Sequence, residues 1–114
     1  MTKLIAITGH KSNYPNPIEF FNGDKVTLGA LDTEFSGWIR VTTDNGNVGW
    51  APVQYIDFDV GSPVGTAIQD YNARELDTIV GEIVILIREL NEWSLVRNEN
   101  GLVGWVPTKT INPM

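Results

Sequence analysis

From Trp38 to Thr42 the chain alternates, with Ile39 and Val41 on one face and Trp38, Arg40 and Thr42 on the other. A period of two is the pleat of a β-strand that turns one face to a core. Asp44-Asn45-Gly46 follows, a group of turn residues that reverses a chain into a partner strand. Residues 93–107 repeat the arrangement, with Asn100-Gly101 at the turn. Upstream of each hairpin lies a run rich in β-branched and aliphatic residues, "KVTLGAL" (25–31) and "EIVILIREL" (82–90). Such runs fit a pleated, half-buried surface. No segment shows a convincing helical period, so the pattern predicts an all-β chain.

The same phrase is written twice. "NGNVGWAP" (45–52) and "NGLVGWVP" (100–107) agree at six of eight positions. Trp38 and Trp93 share the 55-residue offset of these phrases. "NGDKVTL" (22–28) meets "VGEIVIL" (80–86) at an offset of 58, and Ala6-Ile7 meets Ala67-Ile68 at 61. The offset thus changes in two steps of three residues, which marks two loops, since loops lengthen at small entropic cost and strand ladders do not. Each repeat reads as five short strands, a pattern that predicts a small barrel. The expected organisation is one barrel over 1–58, a linker at 59–66 rich in Gly and Pro, and a second barrel over 67–114. A domain of about 55 residues is marginal alone, so the two are expected to pack as a unit.

Composition narrows the chemistry. The 114 residues contain no cysteine, which excludes disulfides, cysteine-ligated zinc and a thiol nucleophile. The net charge is −6, with four basic and seven acidic groups in each half, so no basic patch offers itself to a phosphate backbone and no nucleic-acid partner is expected. No run approaches the ~20 apolar residues of a membrane helix, and Leu4 to Ile7 is too short for a signal-peptide core, so a cytoplasmic protein with no membrane partner is expected. The serines have no base at a recognisable spacing, and the single histidine, His10, has no second His to share a metal. The expectation is a protein without cofactor or metal that binds and does not catalyse. Trp50 and Trp105, each after a hairpin glycine, are expected to cover a core edge, and His10 to be a solvated loop residue. "YPNP" (14–17) is expected to stiffen a long loop through its two prolines.

The order of these pieces resembles the Src-homology-3 (SH3) domain, twice over nearly the whole chain. "AIQDY" (67–71) is similar to that family's Ala-Leu-Tyr-Asp-Tyr signature, and "ARELDTIVGE" (73–82) to its acidic loop and diverging turn. Trp93, Pro107 and Ile111 stand where the family has its ligand-facing Trp and Pro and its final strand. The first repeat keeps Trp38, Pro52 and Tyr55 and also resembles the bacterial SH3-like modules with their repeated Gly-Trp phrase. The resemblance implies two tandem SH3-like five-stranded β-barrels.

It also implies a site. Aromatic side chains and a proline would accept an extended proline-rich helix that costs little entropy to order, while carboxylates orient a ligand cation. In the second repeat these would be Tyr71, Trp93 and Pro107, with Glu75, Asp77 and Glu92 at the edge. In the first they would be Trp38, Pro52 and Tyr55. Gln69, Thr110, Thr8 and His10 stand where the family carries tyrosines, so each repeat keeps part of the aromatic set. The function expected is a binding module or adaptor that holds a proline-rich or basic peptide segment of a partner protein. Two other classes fit the fold: a cell-wall or glycan-binding module, and a structural pair whose grooves face each other.

Overall fold

The computed structural model describes residues 1–12 and 15–114. Tyr14, within the expected "YPNP" stiffener, lies outside the described residues. The described chain contains twelve strands, two single 3-10 turns and no α-helix. The strands are β1 (Thr2–Ala6), β2 (Glu19–Phe20), β3 (Lys25–Leu31), β4 (Trp38–Thr42), β5 (Val48–Pro52), β6 (Ile56–Asp57), β7 (Val64–Ala67), β8 (Tyr71–Asn72), β9 (Ile83–Leu90), β10 (Trp93–Asn98), β11 (Val103–Pro107) and β12 (Ile111–Pro113). Both predicted hairpins form. Trp38 pairs with Pro52 across β4–β5 and Trp93 with Pro107 across β10–β11, in the same register.

There are two five-stranded sheets, ordered β5-β4-β3-β7-β6 and β11-β10-β9-β1-β12, and a two-stranded one, β2-β8. Strand pairing closes neither five-stranded sheet into a barrel. The opening strands are exchanged. The first repeat's β1 lies between β9 and β12 of the second, and the second repeat's β7 lies between β3 and β6 of the first.

The chain therefore divides into a continuous unit, Asn16–Ala73, and a discontinuous unit, Met1–Pro15 with Arg74–Met114. This corrects the expected division at 59–66. Those residues do not separate two domains; most of them form a hairpin loop and the strand after it. Ile56 pairs with Ala67 and Asp57 with Thr66, and the Ser62 N–H donates to the Asp59 carbonyl inside the turn. A connection that short joins antiparallel neighbours, so it delivers β7 beside β6. Backbone ladders are indifferent to side chains, and Ala6-Ile7 and Ala67-Ile68 are alike, so linear order could not say which sheet each strand completes.

Each unit has its own core. In the discontinuous unit Leu4, Ala6, Leu76, Val84, Val96, Val106 and Ile111 form one buried cluster, with Leu86 against it. Removing such apolar area from water is the main stabilising contribution. In the continuous unit Ile18, Phe20, Val26, Ile39, Val41, Ala51 and Ile56 are buried. Two equivalent glycines let a neighbouring segment lie against each sheet. A Cβ at Gly49 would stand 3.2 Å from Ile18, and one at Gly104 would stand 2.8 Å from Leu76 and 3.0 Å from the Arg74 carbonyl.

The backbone at Arg74 is itself fixed, since the Trp105 N–H donates to the Arg74 carbonyl and the Leu76 N–H to the Trp105 carbonyl. Gly104→Ala should therefore cost about 1–3 kcal/mol, as overpacked core sites do. Thermal or urea unfolding checks it: a midpoint equal to that of the parent protein would show that residues 74–76 can move away.

Candidate functional site

The residues flanking β1 and β9 build the richest polar–aromatic cluster. Residues 8–12 run beside residues 75–78, held by two reciprocal bonds in which the His10 N–H donates to the Thr78 carbonyl and the Thr78 N–H to the His10 carbonyl. Two carboxylates of the second segment secure the first. Glu75 Oε1 lies 2.8 Å from His10 Nε2, and Asp77 Oδ1 accepts the Ser12 N–H at 2.7 Å. The His10 ring stands edge-on to Trp93, with centroids 5.7 Å apart.

The side chains of His10 and Glu75 are only 13% and 10% exposed. A charged or neutral imidazole bonded to a carboxylate so far out of water is worth more than a surface pair of the same length. His10 is thus a paired, half-buried group and not the solvated loop residue expected. The clue in the sequence was its alignment with Tyr71. Thr78 Oγ1, fully shielded, is the one buried side-chain polar atom without a hydrogen-bond partner among the described residues.

The predicted second-repeat site is split. Trp93 is partly exposed, Pro107 is buried directly opposite it, Glu75 is half-buried, and Asp77 and Glu92 are exposed. These belong to the discontinuous unit. Tyr71 does not. It lies in the continuous unit, where its ring meets Phe20 at 5.3 Å and Tyr55 at 5.7 Å, and its hydroxyl donates to the Trp50 carbonyl. Exchange of the opening strands places Tyr71 among the aromatic residues of the continuous unit and His10 beside Trp93.

The residues of the predicted first-repeat site all lie in the continuous unit and are all buried. Trp38 is 6% exposed, Tyr55 7% and Tyr71 6%, and Pro52 is buried as well. Trp105 is buried and Trp50 half-buried, with the Arg40 guanidinium 5.2 Å from the Trp50 ring centre. A shallow polar groove of about 380 Å³ also lies on the continuous unit, lined by Lys25, Asp57, Asp59, Ser62 and Thr66 among others, but it contains none of the predicted site residues.

The turn before Trp93 is strained. Asn91 and Glu92 both have positive φ, 51° and 71°. A two-residue hairpin turn of this kind favours Asn-Gly, because a side chain at the second position is crowded. The first repeat obeys the rule with Gly37 before Trp38, at φ 91°. Both turns make the same bond, Thr108 N–H to the Glu92 carbonyl and Val53 N–H to the Gly37 carbonyl. A glutamate is therefore kept where the matched turn shows glycine to suffice.

No family model matches the chain. A segment of 43 residues is 40% identical to part of the epidermal growth factor receptor kinase substrate 8-like protein 3 of Mus musculus, a protein that contains an SH3 domain. The match covers 38% of this chain and 7% of that protein. Together with the all-β architecture it fits an SH3-like fold.

Glu92→Gly should stabilise the fold by about 1 kcal/mol by relieving the left-handed glutamate. The thermal midpoint should rise by several degrees, and a fall would show that the carboxylate holds the turn.

Proposed function

We propose that the chain is a non-catalytic binding module, a pair of SH3-like units that exchange their opening strands, in which the discontinuous unit carries the ligand site. Trp93 with Pro107 opposite forms its apolar floor, and Glu75, Asp77 and Glu92 form its acidic edge. The ligand is an extended peptide segment of a partner protein, proline-rich and carrying a Lys or Arg. The observation that carries this reading is Trp93, partly exposed beside the His10–Glu75 pair, while the equivalent Trp38 is closed off. An aromatic plate supplies apolar area at low entropic cost, and carboxylates beside it attract and orient a cation. The position of Glu92 on a strained turn next to Trp93 supports the same site, since strain that persists in a fold clusters where it serves a function.

For the continuous unit the burial of Trp38, Pro52, Tyr55 and Tyr71 favours the structural alternative. Those side chains serve the core of their own unit.

Titration of the intact protein with proline-rich peptides, with and without an arginine, tests the reading. Arginine-containing peptides should shift the amide resonances around Trp93, and Trp93→Ala should remove the binding while leaving the spectrum folded. Replacing Asp77 and Glu92 by their amides should weaken binding at low salt and change it little at high salt, where exposed charges are screened. Binding that survives Trp93→Ala but is lost in Trp38→Ala would move the site to the other unit.

A further inference from the structure

The two slots that receive the opening strands have the same registers but different shapes. In one, Leu4 of β1 pairs with Val84; in the other, Gly65 of β7 pairs with Val26. These four positions correspond across the repeats, since Ala6, two residues after Leu4, matches Ala67, two after Gly65. Leu4 belongs to the buried cluster of the discontinuous unit. At Gly65 there is room for no side chain at all. A Cβ there would stand 2.6 Å from Ile56 Cγ2 and 3.2 Å from both the Asp57 carbonyl and Leu28.

The segments that follow the opening strands are sorted in the same sense. After β1 comes His10, which meets Glu75 and lies beside Thr78, in a unit where Thr110 is also buried. After β7 comes Tyr71, which meets Phe20 and Tyr55. By the repeat offsets, Phe20 matches Thr78, Tyr55 matches Thr110 and Pro17 matches Glu75. If each repeat closed on its own opening strand, His10 would face Phe20 and Tyr55 with a proline in place of its acid partner. Tyr71 would face threonines. Leu4 would meet Ile56 and Leu28 as those side chains now lie, although the matched Ile111 and Leu86 leave room for it, and Gly65 would leave a leucine-sized void in the cluster of Leu76, Val96 and Val106. An overpacked position, an unfilled cavity and a half-buried imidazole without its carboxylate each destabilise a fold.

We propose that the two sheets are strand-binding sites of opposite specificity. The slot between β9 and β12 selects the Leu4–His10 strand, and the slot between β3 and β6 selects the Gly65–Tyr71 strand. The exchange is thus encoded in side chains, and the short β6–β7 hairpin is not its sole cause. The partner that fits the β9–β12 slot is this opening strand, from the same chain or from a second copy.

Engineered disulfides can read the pairing, because the chain has no cysteine of its own. Lys3 pairs with Ile85 in the exchanged arrangement, whereas closure of the first repeat on itself would set Lys3 against Thr27, the present partner of Val64. Directly opposed residues of antiparallel strands come within disulfide reach. The experiment uses the full chain with a flexible insertion of about ten residues between Gly61 and Ser62, which removes the constraint of the hairpin.

With all other residues native, Lys3→Cys with Ile85→Cys should oxidise, and Lys3→Cys with Thr27→Cys should not. The expected ratio is roughly a hundredfold, the scale set by one large-to-small core change. Adding Leu4→Gly and Gly65→Leu should reverse the preference toward the 3–27 pair. A 3–85 disulfide within one chain or between two copies supports the assignment alike. Two results overturn it: 3–27 pairing in the lengthened chain with native residues, or 3–85 pairing that persists after the Leu4 and Gly65 substitutions. Either would show that the hairpin or chain order alone decides the exchange.

Discussion

The pairing of Ile56 with Ala67 is the constraint on which the rest of the fold depends. Residues 58–63 turn too tightly for β7 to travel far from β6. Once there, Ala67 is held on every side: its N–H donates to the Asp24 carbonyl, its own carbonyl accepts the Gly23 N–H, and the Ile68 N–H reaches the Tyr55 carbonyl. A buried backbone group left unpaired would cost a hydrogen bond, so a strand ladder of this kind resists partial release. With β7 in the continuous unit, the place between β9 and β12 is occupied by β1, whose Leu4 joins the buried cluster there. The consequences run outward from there. Tyr71 follows β7 into an aromatic core, His10 follows β1 to Glu75 and Trp93, and the candidate site acquires an imidazole where a phenol would have stood.

Much of this was legible in the sequence because it is local. The period-two alternation of Trp38 to Thr42 and the Asn-Gly turns specify hairpins through neighbouring residues, and both hairpins formed in matching register. Of the residues assigned to the second-repeat site, Trp93 lies opposite Pro107 through the hairpin itself, and Glu75 is joined to Trp93 by way of His10. The exchange was illegible for a physical reason. Main-chain ladders accept any strand of suitable length, and the two candidates share Ala-Ile at the same position. What separates them is the pair Leu4 and Gly65, whose meaning appears only when Ile56 is seen to fill the space beside Gly65. The linker reading failed on the same point. Gly61 and Pro63 signal a turn, and a turn joins paired strands as readily as it separates domains.

The two units act as controls for each other, because the same backbone positions carry different side chains. The continuous unit places Phe20, Tyr55 and Tyr71 where the discontinuous unit places Thr78, Thr110 and His10. Large aromatic side chains contribute heavily to a small core, so the continuous unit uses its share internally and leaves Trp38 only 6% exposed. The discontinuous unit draws instead on the aliphatic cluster around Leu4 and Val96. Its polar replacements are mutually satisfied at His10–Glu75, and Thr78 Oγ1 is left without a partner.

That division bears on where binding resides. A fold consistent at every level departs from its own local rules mainly where function requires it. The departures here gather in the discontinuous unit: a glutamate at φ 71° before Trp93, an unpartnered buried threonine hydroxyl, and an imidazole set edge-on to Trp93 beside a carboxylate. The continuous unit shows a glycine, a phenylalanine and a tyrosine at the matching places, each the choice that packing or turn geometry favours. One unit therefore meets the demands of stability with its aromatic residues, and the other leaves Trp93 partly exposed, as the proposed site requires.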